Sequence, residues 1–161
     1  MIDFKKVRTL GHARGVYVPM NEEKYKGVKP VKFLSSWELY FCKYCDLNTQ
    51  ILEWGKESLE VKYADHTRLD KNDRPTTHRY IIDFWVKVKE ANGTIVKKLV
   101  EIKPFKETQQ PKKTGSKRLE VFLKENDTYI RNRCKWAAAE IAAQKRGMKF
   151  IVITEKQLFK M

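Results

Sequence analysis

Arg79-Tyr80-Ile81-Ile82-Asp83-Phe84-Trp85-Val86-Lys87-Val88-Lys89 and Ile95-Val96-Lys97-Lys98-Leu99-Val100-Glu101-Ile102-Lys103, joined by Glu90-Ala91-Asn92-Gly93-Thr94, decide the fold. Tyr80, Ile82, Phe84, Val86 and Val88 fall on even positions, the period-two signal of a half-buried strand. Val96, Val100 and Ile102 are also even, and Asn92-Gly93 between the two runs is a hairpin turn signal. The two runs are therefore expected to pair antiparallel. A two-residue loop would pair Ala91 with Thr94 and turn one apolar set into water, because opposed residues share a face. A three-residue loop, with Gly93 left-handed as a bulge, pairs Glu90 with Thr94 and keeps both even sets together. That register sets Asp83 opposite Glu101, with Lys103 two residues further on the same face. Ile81, Trp85 and Leu99 share that odd face, and polar groups among large apolar ones suggest a cleft.

Upstream, Trp37, Tyr40, Phe41, Tyr44 and Cys45 have the spacing of an amphipathic helix that ends near Asp46. Residues 1–34 carry Gly11, Gly15, Pro19, Gly27 and Pro30 and are expected to form an extended basic arm, separate from a domain over 35–161. Short β pieces are expected at Gln50 to Trp54 and Leu59 to Tyr63, with a loop from Asp65 to Thr77. Downstream, Lys106 to Lys117, with Pro111 and Gly115, reads as a mobile basic loop. A short helix over Lys117 to Lys124 is expected to precede a longer one over Tyr129 to Arg146. Thr128 would cap the longer helix and Gly147 end it, with Ile130, Cys134, Ala137, Ile141 and Ala142 buried. Phe150 to Ile153 completes the pattern as a buried strand reached by a right-handed crossover. The class is α/β, with a mixed sheet, an antiparallel hairpin and flanking helices.

The 161 residues suffice for one core, with 42% hydrophobic and 12% aromatic residues. A formal net charge of +14 points to a polyanionic partner, nucleic acid first, because each Lys or Arg on a phosphate releases counterions. No apolar run approaches the roughly 20 residues of a membrane span. Met1-Ile2-Asp3-Phe4-Lys5 does not begin a signal peptide, so no membrane partner is expected. The odd number of cysteines, Cys42, Cys45 and Cys134, favours a reducing compartment, the cytoplasm by default. Cys42-Lys43-Tyr44-Cys45 has CxxC spacing but lacks a second pair, with only Cys134 and scattered His12, His66 and His78 besides, so zinc is not expected. Trp54, Trp85 and Trp136 fit a core better than a base-stacking platform.

Two carboxylates on neighbouring strands suit a divalent metal such as Mg²⁺, which prefers octahedral oxygen ligands. Asp83 and Glu101, with the Ile102 carbonyl, would hold it, and Lys103 would orient or help deprotonate an attacking water, the chemistry of phosphodiester hydrolysis. From the motif alone the same residues fit a cross-strand salt bridge on a wet face somewhat better, worth about 0.2–1 kcal/mol.

Asp83 followed after 17 residues by Glu101-Ile102-Lys103 resembles the PD-(D/E)xK nuclease superfamily, with Ile82 in place of the usual proline. Further segments are similar to the head-completion nucleases of T-even-type tailed phages, relatives of Tn7-type transposon endonucleases. They are Lys24-Tyr25-Lys26-Gly27, Ser35-Ser36-Trp37-Glu38, Trp54-Gly55, His78 to Phe84, Val100 to Pro104, Lys135-Trp136-Ala137-Ala138-Ala139 and Phe150 to Glu155. The resemblance implies a restriction-endonuclease-like core and a Mg²⁺-dependent enzyme, with Mn²⁺ as a substitute. It implies action on double-stranded DNA during virion assembly, before neck and tail attach, in the host-cell cytoplasm and at the phage head. Head, portal or neck proteins are the implied partners. It also implies a fourth site residue, Glu38, as a metal ligand, although Ser35-x-x-Glu38 reads by itself as a capping box. Arg14, Arg79, Lys106, Lys112, Lys113, Lys117 and Arg118 are the expected DNA contacts. The alternative is a basic DNA-binding head or neck protein with a vestigial nuclease site.

Overall fold

Residues 13–161 are described by a computed structural model. The first twelve, His12 among them, lie outside the described residues. The elements run β1 (Gly15–Tyr17), β2 (Val31–Phe33), α1 (Ser36–Leu47), β3 (Ile51–Leu69), β4 (Pro75–Lys89), β5 (Ile95–Ile102), α2 (Phe105–Thr108), α3 (Leu119–Gln144), β6 (Lys149–Ile153) and α4 (Glu155–Leu158). Strands β3, β4, β5 and β6 form one mixed sheet in that order, antiparallel except for the parallel pair β5 and β6.

The hairpin has the expected register. Phe84 faces Val100 and Lys89 faces Ile95. The Glu90 amide donates to Thr94 O, the Gly93 amide donates to Glu90 O, and Gly93 has φ 83°. This is the three-residue loop that patterning selects.

The odd face of the hairpin is not an open cleft. Leu99 is buried and Trp85 partly buried against Ala139, Ala142 and Ala143 of α3, while Ile81 is exposed. On the opposite face Phe84, Val86, Val100, Ile102 and Ile153 pack on Trp37, Phe41, Cys42 and Cys45 of α1. Tyr80 and Ile82 do not follow Phe84, although they share its parity; they join the α3 cluster with Val61 and Tyr63. The change of face coincides with a bulge in β3 between Lys56, opposite Phe84, and Leu59, opposite Ile82, where Glu57 has φ 50°. An extra residue on one strand increases the local twist, and Asp83 lies at that point of β4.

Three expectations need correction. Asp65 to Thr77 is the end of β3, a tight turn and the start of β4. The Asp70 carboxylate accepts from the amides of Asn72 and Arg74, so the polar cluster makes a turn between paired strands. The two helices expected after Lys117 are one. Thr128 does not cap anything; its hydroxyl donates to Lys124 O within α3. The buried stripe of α3 is Asn132, Trp136, Ala139, Ala142 and Ala143, whereas Ile141 and Ala137 face solvent. Gly147, φ 64°, does follow the helix end as expected.

Residues 13–34 are also more than an extended arm. β1 and β2 pair, and Tyr25 and Val31 are core residues beside α1. Fully buried Asp46 at the end of α1 fastens this segment by accepting from the Tyr17 hydroxyl and the amides of Met20 and Asn21. Lys24 Nζ donates to the carbonyls of Cys45, Asp46 and Asn48, closing the helix C-terminus.

Candidate active site

The β4 and β5 ladder ends at Phe84 and Val100, and the next pair is bridged by a side chain: the Ile102 amide donates to Asp83 Oδ2 at 2.9 Å. Beyond that point β5 stays paired with β6 along its other edge, and the Lys103 amide donates to Ile153 O at 3.0 Å. The Phe105 amide donates to Glu155 Oε2, which anchors the backbone just beyond Lys103.

Glu101 is 2% exposed and held at both oxygens. Tyr80 Oη donates to Oε2 at 2.7 Å, and Lys103 Nζ lies 3.2 Å from Oε1. Burial first, and then the Glu101 charge, push the Asp83 carboxyl well above the usual carboxylate range, against the Ile102 amide and Lys103. Burial would lower Lys103, but the charges of Glu101 and Asp83 outweigh it and hold the ammonium above its ordinary value. Burial and the neighbouring Glu101 raise the Tyr80 phenol, so it remains a donor at neutral pH.

Among the described residues Asp83 has no ion-pair partner, and Lys103 pairs with Glu101. A second carboxyl beside Glu101 with no cation of its own would lose its proton to a divalent cation more readily than to water, which fits a metal site. No group of three or more His, Cys, Asp or Glu comes together among the described residues, so the protein's side-chain donors would be Asp83 and Glu101. Waters, substrate oxygens and the Ile102 carbonyl would complete an octahedral shell.

Glu38 has other partners. Ser35 Oγ accepts from the Glu38 amide, as a helix cap does, but Glu38 Oε2 accepts from the Leu34 amide rather than from Ser35. The same oxygen lies 2.9 Å from Lys56 Nζ. Its charge still adds to the elevation of the Asp83 carboxyl, after the other causes. Lys56 is 3% exposed, pairs also with Glu57 at 2.8 Å and lies over the Phe84 ring. Sequence reasoning passed over it. The signal was the alternation from Trp54, which carries Lys56 inward in the same strand. By its even position Tyr80 reads only as an apolar core residue, although its hydroxyl reaches Glu101.

The basic residues expected on DNA scatter. Arg14, Arg79, Lys106, Lys112 and Arg118 are exposed. Arg79 faces Glu60 at 3.7 Å. Lys106 lies in α2, close after Lys103. The loop beyond is tied by its own lysines: Lys113 Nζ donates to Lys117 O, while Lys117 Nζ donates to Lys112 O and to Glu125 Oε2 of α3 at 2.6 Å. Trp54 and Trp136 are buried. Cys42 and Cys45 are buried free thiols, and burial lifts Cys42 to about 12.

A family model described as TnsA-like endonuclease N terminal matches residues 48–155. That span holds the four-stranded sheet, Asp83, Glu101, Lys103 and Lys56, and leaves out α1 with Glu38. The chain is also 37% identical over 150 residues to the head completion nuclease of Enterobacteria phage T4, covering 89% of this chain and 92% of that protein.

Proposed function

The chain belongs to the TnsA-like endonuclease family, and from that membership we propose that it is a Mg²⁺-dependent DNA endonuclease acting in the completion of a tailed-phage head. The family is restriction-endonuclease-like, and the mixed sheet with its hairpin between α1 and α3 is that fold. The observation that carries the finer reading is the convergence of Asp83, Glu101 and Lys103 where β4 and β5 part.

Asp83 and Glu101, with the Ile102 carbonyl, would hold Mg²⁺, with Mn²⁺ able to take its place. Bound there, the ion supplies Lewis-acid polarisation of a phosphoryl oxygen and a more acidic water. Tyr80 keeps Glu101 aimed by its hydrogen bond. Lys103 is held as an ammonium by the two carboxylates, so it orients the attacking water and balances charge growing on the phosphate. Neutralising the carboxylates would remove that support and bring Lys103 closer to releasing a proton. The substrate is double-stranded DNA, cut or trimmed before neck and tail attach. The place of action is the host-cell cytoplasm and the phage head, beside head, portal or neck proteins. Among the described residues, no helix is long and apolar enough to cross a membrane.

Circular and linear DNA incubated with the purified chain, with Mg²⁺ or with chelator, tests the reading. Circles should be cut with Mg²⁺ and survive with chelator, and Glu101→Gln should leave them intact in both. Circles left intact by the wild type in Mg²⁺ would favour a DNA-binding head protein with a vestigial site.

A further inference from the structure

Helix α3 carries a lysine that nothing above employs. Lys135 Nζ lies 5.5 Å from the Tyr80 ring centroid and 5.8 Å from that of Tyr63. Tyr80 is the residue whose hydroxyl holds Glu101, so a single aromatic ring separates this ammonium from the nuclease site. We propose that Lys135 binds the DNA backbone at or beside the phosphate under attack. The proposal rests on the nuclease reading and extends it to a residue of the helix that covers the site.

The neighbouring cations differ from Lys135 in having anions. Arg131 Nε donates to Asp65 at 3.1 Å and its Nη2 to Thr67 Oγ1, Arg68 approaches Asp65, and Lys103 pairs with Glu101. Among the described residues Lys135 pairs with no carboxylate. Two ring faces hold it instead, where an uncharged stem such as methionine would pack as well. Burial first, and then repulsion from Lys103, lower its proton affinity against the more distant charges of Glu101 and Asp65, and an arriving anion would offset that loss. An unpaired ammonium beside a phosphodiester-cutting site matches a phosphate oxygen.

The test is binding of a fluorescent DNA duplex to the full chain in chelator, across roughly 50–200 mM salt. Lys135→Met should bind several-fold more weakly, with the slope of log affinity against log salt reduced by about 0.9, one phosphate contact. Lys135→Arg should keep the wild-type slope. DNA should also shield Lys135 of the unmutated chain from acylation, read by mass spectrometry, which needs no variant to fold. In Mg²⁺ at saturating DNA, single-turnover cutting by Lys135→Met should fall about 10-fold or more, the cost of a misplaced phosphate. An unchanged slope with unshielded Lys135 overturns the proposal. Weakened binding with an undiminished saturating rate overturns its placement beside the attacked phosphate. Failure of the wild type to cut DNA would instead overturn the nuclease reading and leave the chelator measurement standing.

Discussion

Tyr80 Oη donates a 2.7 Å hydrogen bond to Glu101 Oε2 between two buried side chains 21 residues apart. The bond links a residue of the α3 core cluster to a candidate metal ligand, so packing on that face sets the aim of the carboxylate. Tyr80→Phe should therefore lose about 1.5–3 kcal/mol of stability, the range for a hydrogen bond to a charged group. Cleavage should slow as Glu101 loses its fixed orientation. Urea melts and cutting rates compare the two, and a fully stable, fully active variant would deny the bond any role.

Asp83 predicts a pH dependence without metal. Its folded carboxyl is raised by burial and by Glu101, so the folded state binds a proton that the unfolded state has released. The stability from this group is complete below the unfolded value of about 3.9 and is lost as pH rises through the higher folded value. In chelator, the melting temperature of the wild type should fall relative to that of Asp83→Asn between pH 4 and 8. Mg²⁺ should raise the wild-type midpoint at pH 8 and leave the variant's almost unmoved. Parallel pH curves for the two proteins would contradict the assignment.

Asp46 has the opposite sign. Burial would raise its carboxyl, but donors from Tyr17, Met20 and Asn21 outweigh burial and hold it below the ordinary value. Its contribution is present above about pH 3.9 and is lost as pH falls through the depressed folded value. Asp46→Ala should cost about 2–4 kcal/mol and free residues 13–34 to hydrogen exchange before the sheet opens. Simultaneous exchange of the two regions would show that Asp46 is no fastener.

Glu38 pairs with Lys56, and one substitution tests whether the metal role proposed for it exists beside that pairing. Glu38→Gln leaves buried Lys56 with Glu57 as its remaining ion-pair partner, so stability should drop by about 1–3 kcal/mol. If the residue also serves the metal, cutting should slow at least about 10-fold at saturating Mg²⁺. Lower stability with a normal rate would make Glu38 the partner of Lys56 alone.

In the basic loop, Lys112→Glu should weaken DNA binding at unchanged stability, because the side chain is exposed. Lys117→Glu should also unfasten the loop from α3, since it places two carboxylates together at Glu125. Faster proteolysis in the loop for Lys117→Glu, and not for Lys112→Glu, is the expected readout; equal proteolysis would refute the tie.

Parity along two strands and a glycine at the turn were enough to set the register up to Phe84 and Val100, one step before Asp83 and Glu101, because side-chain alternation and turn geometry are local properties of the chain. The α1 helix and the parallel strand β6 were legible for the same reason. Thr128 misled because a hydroxyl that caps a helix in one setting bonds back to the preceding turn in another, and packing against the sheet selects which. The exchange of faces at Asp83, the two glutamates around Lys56, the tyrosine behind Glu101 and the placement of Lys135 over two rings were decided only by tertiary structure. Each depends on which distant surface covers a strand. Local periodicity says that a side chain must be buried, but the partner that buries it, and so the charge and hydrogen bonding it meets there, comes from another part of the chain.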